Sequence, residues 1–251
     1  MRRSLLYTSI GLVAFLGFLI TYLPASLVWA QFKDKTAEIL PALRVLTIEG
    51  SLWHGQADLR VGDFTPSRVT WQLASHRLLA GGLPLQITAT GSGHKLATLI
   101  TLEPSSMVIE DLSGTLQPDY LNQLGARFGL STSGAVTLEN IQLGVNQTWL
   151  STATGRLNWA GGQFIFPDPR GIGLVNLPPL RGHISLQEKA FSLDVTQQNN
   201  GLDAQLVSLL LKPDGWVTVA IKARLFKLAQ LPWPSSDSLD DTALALEEKL
   251  F

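Results

Sequence analysis

The sequence predicts a mainly β protein, in which a single N-terminal transmembrane helix precedes an exported antiparallel β-sheet domain with one short helix. Three features of the 251 residues predict this fold: a long uncharged start, apolar residues at every second position, and glycines at turn spacing. Charged residues make up only 16% of the chain, whereas glycine occurs 22 times and proline 13 times. Such a composition favours short strands and turns over long surface helices.

The first feature is the uncharged stretch at the N-terminus. After Arg2 and Arg3, no charged side chain occurs from Ser4 to Phe32. An apolar helix needs roughly 20 residues to cross a bilayer. Positive residues beside a first apolar segment tend to stay in the cytoplasm, so the rest of the chain should be exported. We therefore predict a transmembrane anchor over residues 5–29.

A cleaved signal peptide is the alternative for this stretch. Val28-Trp29-Ala30 loosely resembles a small-x-small cleavage site. A signal usually has an apolar region of about 7–15 residues, which is shorter than the one here. The side chains of Val28 and Trp29 are also bulky for a cleavage site. Both alternatives place the chain beyond about residue 33 on the far side of the membrane.

From Val45 onward, apolar and polar residues alternate. Val69, Trp71 and Leu73 are each separated by a polar residue. The same pattern recurs in six further segments: Leu83–Ala89, Leu96–Leu102, Val136–Leu138, Ile141–Val145, Phe191–Val195 and Val217–Ala223. Residues two apart share one face of a strand, so each segment has one apolar and one polar face. Half-buried strands of this kind are typical of antiparallel sheets.

Turn and helix signals complete the predicted domain. Gly114, Gly134 and Gly155 precede strands at near-hairpin intervals, which predicts a meander of hairpins that is curved or half-open. The apolar spacing over Pro118–Gly129 predicts the short helix. Prolines predict a long loop around Phe166–Leu180, which leaves two half-sheets and one continuous layer as alternatives.

These signals divide the chain into five segments. They are a cytoplasmic N-terminus over 1–4, the anchor over 5–29, a stalk over 30–44, the exported β-rich domain over 45–231 and an acidic C-terminal tail over 232–251. The roughly 220 residues beyond the anchor are enough to bury a hydrophobic core without disulfide bonds.

Composition also excludes several functions. A net charge of −1 without a basic stripe argues against a nucleic-acid partner. The lack of cysteine removes thiol catalysis, thiolate metal sites and iron–sulfur clusters. The four histidines have no metal-binding spacing: His54, His76, His94 and His183. The sequence therefore predicts neither a metal nor a cofactor.

No catalytic motif is complete in the sequence. Gly91–Lys95 lacks the spacing of a phosphate-binding loop, and Gly129–Gly134 lacks the strand–turn–helix context of a nucleophile elbow. Glu110 and Asp111 are adjacent in a strand, so their carboxylates point to opposite faces. We therefore predict no catalytic residue, no small-molecule substrate and no enzymatic activity.

Tryptophans lie in or beside several predicted strands. Their usual role is packing in the core or at a sheet edge, although tryptophan also contributes strongly to protein interfaces. Beside Trp53, a glycine allows another backbone to approach closely. The candidate partner-contact residues are Trp53, Gly55, Trp71 and Trp159.

Taken together, these segments resemble the type II secretion system protein N family. Beyond the basic start and the apolar anchor, the resemblance rests on Glu49–Ala57, Val69–Trp71, Leu78–Gly81, Leu112–Leu116 and Gly155–Trp159. It covers nearly the whole chain. It implies an accessory, single-pass protein of the bacterial inner membrane with a periplasmic β-rich domain and no known catalytic residues. The partners that it implies are the secretin and the inner-membrane platform components of the secretion system.

Two other functions stay open. A sheet that curls without closing would leave an apolar trough, so a membrane-anchored periplasmic protein that contacts or conducts lipid is the alternative. The trough would be lined by residues such as Leu85, Ile87, Val136 and Leu138. A periplasmic enzyme would instead need a polar pocket that brings together groups such as Glu110 and His183.

Overall fold

A computed structural model describes residues 2–75, 77, 82–168, 171–199, 202–232 and 238–249. His76 and the Leu78–Gly81 segment, both considered above, lie outside the described residues. Four α-helices occur in the described part of the chain: α1 Arg2–Thr21, α2 Ala25–Ile39, α3 Pro118–Gly125 and α4 Ala223–Leu228. A single 3₁₀ turn follows α3 and ends at Gly129, so the short helix predicted over Pro118–Gly129 is confirmed.

The uncharged N-terminal stretch forms two helices instead of one. α1 ends at Thr21 and α2 begins at Ala25, with Pro24 extended between them at φ −66° and ψ 136°. Proline lacks a backbone N–H and disfavours helical geometry in the preceding residue, so a helix ends before Pro24. The segment over 5–29 therefore contains most of α1, the break and the start of α2. Within the described ranges, no helix has the combined length and apolarity that a membrane crossing requires.

The strands follow in chain order as β1 Leu43–Gly50, β2 His54–Val61, β3 Ser67–Leu73, β4 Leu83–Gly91, β5 His94–Leu102, β6 Ser106–Leu116, β7 Ser131–Thr132, β8 Val136–Asn146, β9 Leu150–Trp159, β10 Gly162–Asp168, β11 Gly171–Leu177, β12 Leu180–Gln187, β13 Ala190–Asn199, β14 Leu202–Leu211, β15 Trp216–Lys222 and β16 Thr242–Lys249. Thirteen of them form one large antiparallel sheet in the order β1-β2-β3-β4-β5-β6-β8-β9-β12-β13-β14-β15-β16. The predicted antiparallel, mainly β architecture is confirmed.

The remaining strands form a small second sheet. β10 lies between β11 and the short β7, and we call these three strands the flap. Because β9 pairs directly with β12, the large sheet is one continuous layer. The prediction of a long loop around Phe166–Leu180 is wrong, because β10 and β11 form paired strands there. Pro167 is compatible with β10 because β7 reaches only Phe164 and Ile165 of that strand.

The strand register gives the large sheet one apolar face from its first strand to its last. Ile48 in β1 is aligned with Ala57 in β2, and Ile221 in β15 is aligned with Leu244 in β16. Side chains alternate across a strand, so the intervening residues form a second, mostly polar face. This continuous apolar face can be buried only by curving the sheet or by covering it.

The apolar face is filled near the middle of the large sheet. Ile141, Ala153 and Ile184 form a buried cluster in which each side chain is 6% exposed or less. Partly buried residues pack against it: Leu112, Leu138, Leu143, Leu157, Leu186, Phe191 and Leu193. A compact core therefore lies across β6, β8, β9, β12 and β13.

The two edges of the large sheet differ. α2 lies against β1, whereas β16 pairs with β15 alone among the described strands. β16 falls in the acidic tail that the sequence predicts over 232–251. It joins the sheet because Leu244 and Leu246 continue the apolar face beside β15.

Candidate functional site

A pocket of about 870 Å³ lies between the second half of the large sheet and the flap. Protein interiors hold few voids larger than a water molecule, whereas ligand pockets typically measure about 300–1,000 Å³. The volume of this pocket therefore matches a ligand site better than a packing defect.

Three parts of the fold form the wall of this pocket. The large sheet supplies mainly aliphatic side chains: Val136, Leu157, Val195, Val207, Val219 and Ile221. From the flap come Phe164 and Phe166, and their ring centroids are 6.5 Å apart. Leu121 of α3 and Leu225 of α4 also line the pocket, which stays partly open to solvent. The wall is consequently mostly apolar, although Asn122, Ser131, Thr132 and Arg181 also line it.

The pocket requires this half of the sheet to curve. Its wall includes Val136 in β8 and Leu246 in β16, with β9, β12, β13, β14 and β15 between them. Six strand spacings of about 4.8 Å would separate these two strands by about 29 Å in a flat sheet. One pocket that touches both strands therefore shows that the sheet wraps around it.

Three residues in the wall, Asn122, Thr132 and Trp159, have polar groups that are engaged with one another or with nearby backbone. The indole N–H of Trp159 donates to the hydroxyl oxygen of Thr132 at 3.1 Å and to the carbonyl oxygen of Gly134 at 3.2 Å. The backbone N–H of Thr132 donates to the side-chain oxygen of Asn122 at 2.7 Å. Trp159, a predicted contact residue, thus fixes β7 of the flap against the large sheet.

Sequence reasoning missed the contribution of the flap to this pocket. Phe164, Ile165 and Phe166 form a short apolar run that begins one residue after a pair of glycines, and such a run is compatible with a strand. The nearby prolines masked that signal, because proline usually argues against a strand. A pocket wall built from two sheets also depends on long-range packing, which local periodicity does not report.

The other three candidate contact residues meet at the turn between β1 and β2. The indole N–H of Trp71 donates to the carbonyl oxygen of Ser51 at 3.1 Å. The backbone N–H of Trp53 donates to the Ser51 hydroxyl oxygen at 3.3 Å. A Cβ atom on Gly55 would lie only 2.5 Å from Cζ2 of Trp71, so glycine leaves the space that the indole ring occupies. Trp53, Gly55 and Trp71 therefore form one cluster, which is separate from Trp159.

The same turn contacts the corner between α1 and α2. Pro24 forms an isolated β-bridge with Ser51. The backbone N–H of Leu52 donates to the carbonyl oxygen of Leu23 at 2.9 Å. The turn therefore connects the large sheet to the two N-terminal helices.

A buried histidine lies on the apolar face beneath α3. His94 is 6% exposed, and its ring centroid is 4.5 Å from that of Tyr120 in α3. The Tyr120 ring in turn lies 5.8 Å from the ring of Phe64. Burial disfavours the charged imidazolium, which lowers the pKa of His94 below its ordinary value of 6.5.

The described residues do not assemble the acid–base or metal chemistry considered above. Glu110 forms an ion pair with Arg77 at 2.8 Å on the polar face. In the described part of the chain, no three histidine, aspartate or glutamate side chains are grouped so that they could hold a metal ion. The apolar pocket and the free β16 edge are thus the strongest functional features.

Comparison with known proteins adds a family. The chain matches the type II secretion system protein N family over residues 41–231. It is similar to the type II secretion system protein N of Aeromonas hydrophila, with 27% identity over 176 residues. That alignment covers 64% of each chain, so the protein spans less than two thirds of the length of this relative. No solved structure matches the chain.

Proposed function

Since the chain belongs to the type II secretion system protein N family, we propose that it is an accessory inner-membrane component that acts through protein contacts in the periplasm. Family membership indicates a component of type II protein secretion, which implies interaction with other parts of the machinery. We propose that those parts are the secretin and the inner-membrane platform. The family is one of secretion components, and the proposed role includes no catalytic step.

The free edge at β16 carries this proposal. Seven of the eight residues in β16 are exposed, and β15 is its single neighbour within the described ranges. The main-chain groups of an edge strand can pair with a strand from a partner. Residues 242–246 carry no charge, whereas Glu247, Glu248 and Lys249 do. Charges discourage edge pairing, so we assign the partner strand to the uncharged half.

We further propose that α1 attaches the chain to the inner membrane. Its exposed apolar side chains include Tyr7, Ile10, Leu12, Val13, Phe15, Phe18 and Leu19. So much apolar surface is unfavourable in water and favours a lipid environment. The basic residues Arg2 and Arg3 support a cytoplasmic N-terminus. The contact between Leu52 and Leu23 would then hold the sheet close to the membrane.

The predicted contact residues remain part of the proposal. Trp71 and Trp159 use their indole N–H groups inside the protein, and Gly55 provides space for the Trp71 ring. These roles favour packing as their main contribution. A partner would meet the turn that this cluster supports, and Trp53 lies in that turn.

A secretion assay tests this role. We expect deletion of the gene in a bacterium with type II secretion to reduce the extracellular amount of a folded exoprotein, and the full chain to restore it. A chain whose residues 1–29 are replaced by a cleavable export signal should restore less, because it has lost the proposed attachment. Unchanged secretion after deletion would contradict the accessory role. Equal rescue by both chains would contradict the proposed membrane attachment but not the accessory role in secretion.

The apolar pocket favours lipid contact as a second candidate function. Of the residues expected to line a trough, Val136 lies in the pocket wall, whereas Leu138 packs against the buried cluster. Leu85 and Ile87 lie on the same apolar face in β4 but are not part of that wall. The described space is therefore a local pocket beside a filled core, which supports lipid binding better than lipid conduction.

A further inference from the structure

We infer that the pocket beneath the flap binds one acyl chain of a bilayer lipid. This inference rests on the second candidate function, and it does not depend on a partner strand at β16. The occupant is identified by the chemistry of the wall, by the exposed side chains of the flap and by the way the flap is attached.

The wall of the pocket selects a hydrocarbon. Aliphatic and aromatic side chains supply most of the wall of this pocket of about 870 Å³. Water is held poorly there, because most of the wall is apolar and the polar groups of Asn122, Thr132 and Trp159 are engaged with one another. A polar ligand would lose its hydration and gain few partners, since Arg181 is the single charged residue among the described residues that line the pocket. An acyl chain has no hydrogen bonds to water to lose. Each methylene group that it buries adds to its affinity.

The outer face of the flap indicates where the chain comes from. Phe164 and Phe166 line the pocket, and their neighbours on the other face of the flap are apolar too. Ile172 and Leu174 of β11 are 81% and 52% exposed. A strand with such side chains in water is more stable against a lipid surface. We therefore assign the source to a bilayer rather than to a soluble carrier.

The β10–β11 hairpin of the flap is connected so that it can move without breaking the large sheet, whereas β7 is held to that sheet by Trp159. The hairpin joins β9 through Gly161, which has a φ of +81°, and joins β12 through Pro178 and Pro179. A Cβ atom on Gly161 would lie 2.8 Å from the carbonyl carbon of Pro178, so the two connections touch. β9 and β12 are paired directly with each other. Displacing β10 and β11 would break the short pairing of β10 with β7, open the pocket and leave the pairing of β9 with β12 intact.

Photochemical labelling tests the inference. The full chain is reconstituted in vesicles of phosphatidylethanolamine and phosphatidylglycerol that contain a phosphatidylethanolamine with a diazirine in the middle of one acyl chain. After irradiation, labelled peptides are identified by mass spectrometry. We expect labels in β10 and β14, around Phe164 and Val207, in addition to labels in α1. Labels confined to α1 would overturn the inference.

A matched pair of variants makes the test specific. Val219→Phe fills the pocket from β15, whereas Val217→Phe adds the same bulk on the same face two residues away, outside the pocket wall. Pocket labelling should fall about tenfold in the first variant, because each excluded methylene lowers affinity several-fold. Pocket labelling should stay unchanged in Val217→Phe. Equal labelling of the two variants would overturn the inference.

Two further experiments test how the pocket is loaded and where its lipid comes from. Ile172→Ser with Leu174→Ser changes only exposed side chains, so folding should be retained while the rate of pocket labelling falls. An unchanged rate would contradict loading through the flap. Added palmitic acid should compete no better than added phosphatidylethanolamine; stronger competition would identify a free fatty acid and overturn the bilayer source. None of these outcomes alters the secretion assay, so failure of the two proposals is distinguishable.

Discussion

The indole N–H of Trp71 donates to the carbonyl oxygen of Ser51 at 3.1 Å, so the third strand holds the turn between the first two. Ser51 also forms a β-bridge with Pro24, at the corner between α1 and α2. Ser51 therefore contacts both the large sheet, through Trp71, and the corner between the two N-terminal helices, through Pro24. Changes at Trp71 should therefore be detected at the contact between Leu52 and Leu23.

Replacing Trp71 by phenylalanine should keep an aromatic ring over Gly55 while removing the N–H donor. A typical hydrogen bond contributes about 1 kcal/mol, so the free energy of unfolding should fall by about that amount. Amide exchange at Leu52 should also become faster, because its neighbour Ser51 is held less firmly. Trp149→Phe is the control, since it removes an indole hydrogen bond to the carbonyl of Lys189 elsewhere. Faster exchange at Leu52 in both variants would contradict a local connection.

Gly55→Ala should destabilise the protein by about 1–3 kcal/mol, the usual range for overpacking. The new Cβ would collide with the backbone carbonyl oxygen of Glu49 and would lie 2.5 Å from Cζ2 of Trp71, whose ring is held by a hydrogen bond and yields little. Denaturant unfolding measures the change. Gly62→Asn is the control: a side chain there meets open space, and asparagine tolerates its φ of +53°. A loss of stability no larger than in the control would contradict the close packing.

The stability of the protein should depend on pH through His94. Its pKa is lowered in the folded state because burial disfavours the charged ring, so the unfolded chain binds the proton first. The contribution of neutral His94 is therefore complete above the ordinary pKa of 6.5 and is lost as pH falls below that value.

Unfolding measured from about pH 7.5 to 5.5 checks this prediction, since the ordinary histidine pKa lies within that interval. The loss of stability on acidification should be smaller in His94→Gln than in the wild type. His183→Gln should behave like the wild type, because His183 is exposed on β12. The same pH dependence in all three proteins would show that another group is responsible.

Leu206→Ala should be among the most destabilising substitutions in β14. Leu206 is 0% exposed and lies at the register shift between β13 and β14. Truncating a buried leucine to alanine usually lowers the free energy of unfolding by about 2–5 kcal/mol. Leu246→Ala on the same half of the sheet is the control, because Leu246 is 56% exposed. Thermal or denaturant unfolding that ranked the two variants equally would contradict the assigned burial.

Local patterns in the sequence predicted most of the large sheet. Val69, Trp71 and Leu73 alternate with polar residues, and the register places them on the apolar face of β3. The break in the N-terminal stretch was missed although Pro24 signals it, since the prediction relied on the absence of charge. β16 was missed because the acidic residues at its end obscured the alternation of Leu244 and Leu246.

The candidate site was less predictable than the fold. Trp159 was identified as a candidate from its residue type, but nothing local indicated that it contacts Thr132 across a second sheet. The pocket arises from the curvature of strands β8 to β16 and from closure by the flap. Both depend on packing between residues far apart in sequence, which periodicity in one segment does not encode.

Cross-linking in the native envelope tests the proposed role of the β16 edge most directly. The chain has no cysteine, so a single thiol at Ala245→Cys can carry a benzophenone without background. Thr154→Cys, exposed on the polar face of β9, is the matched control. We predict a cross-link from residue 245 to the secretin or to a platform component, and none from residue 154. Equal cross-linking from both positions, or none from residue 245, would contradict assembly through this edge.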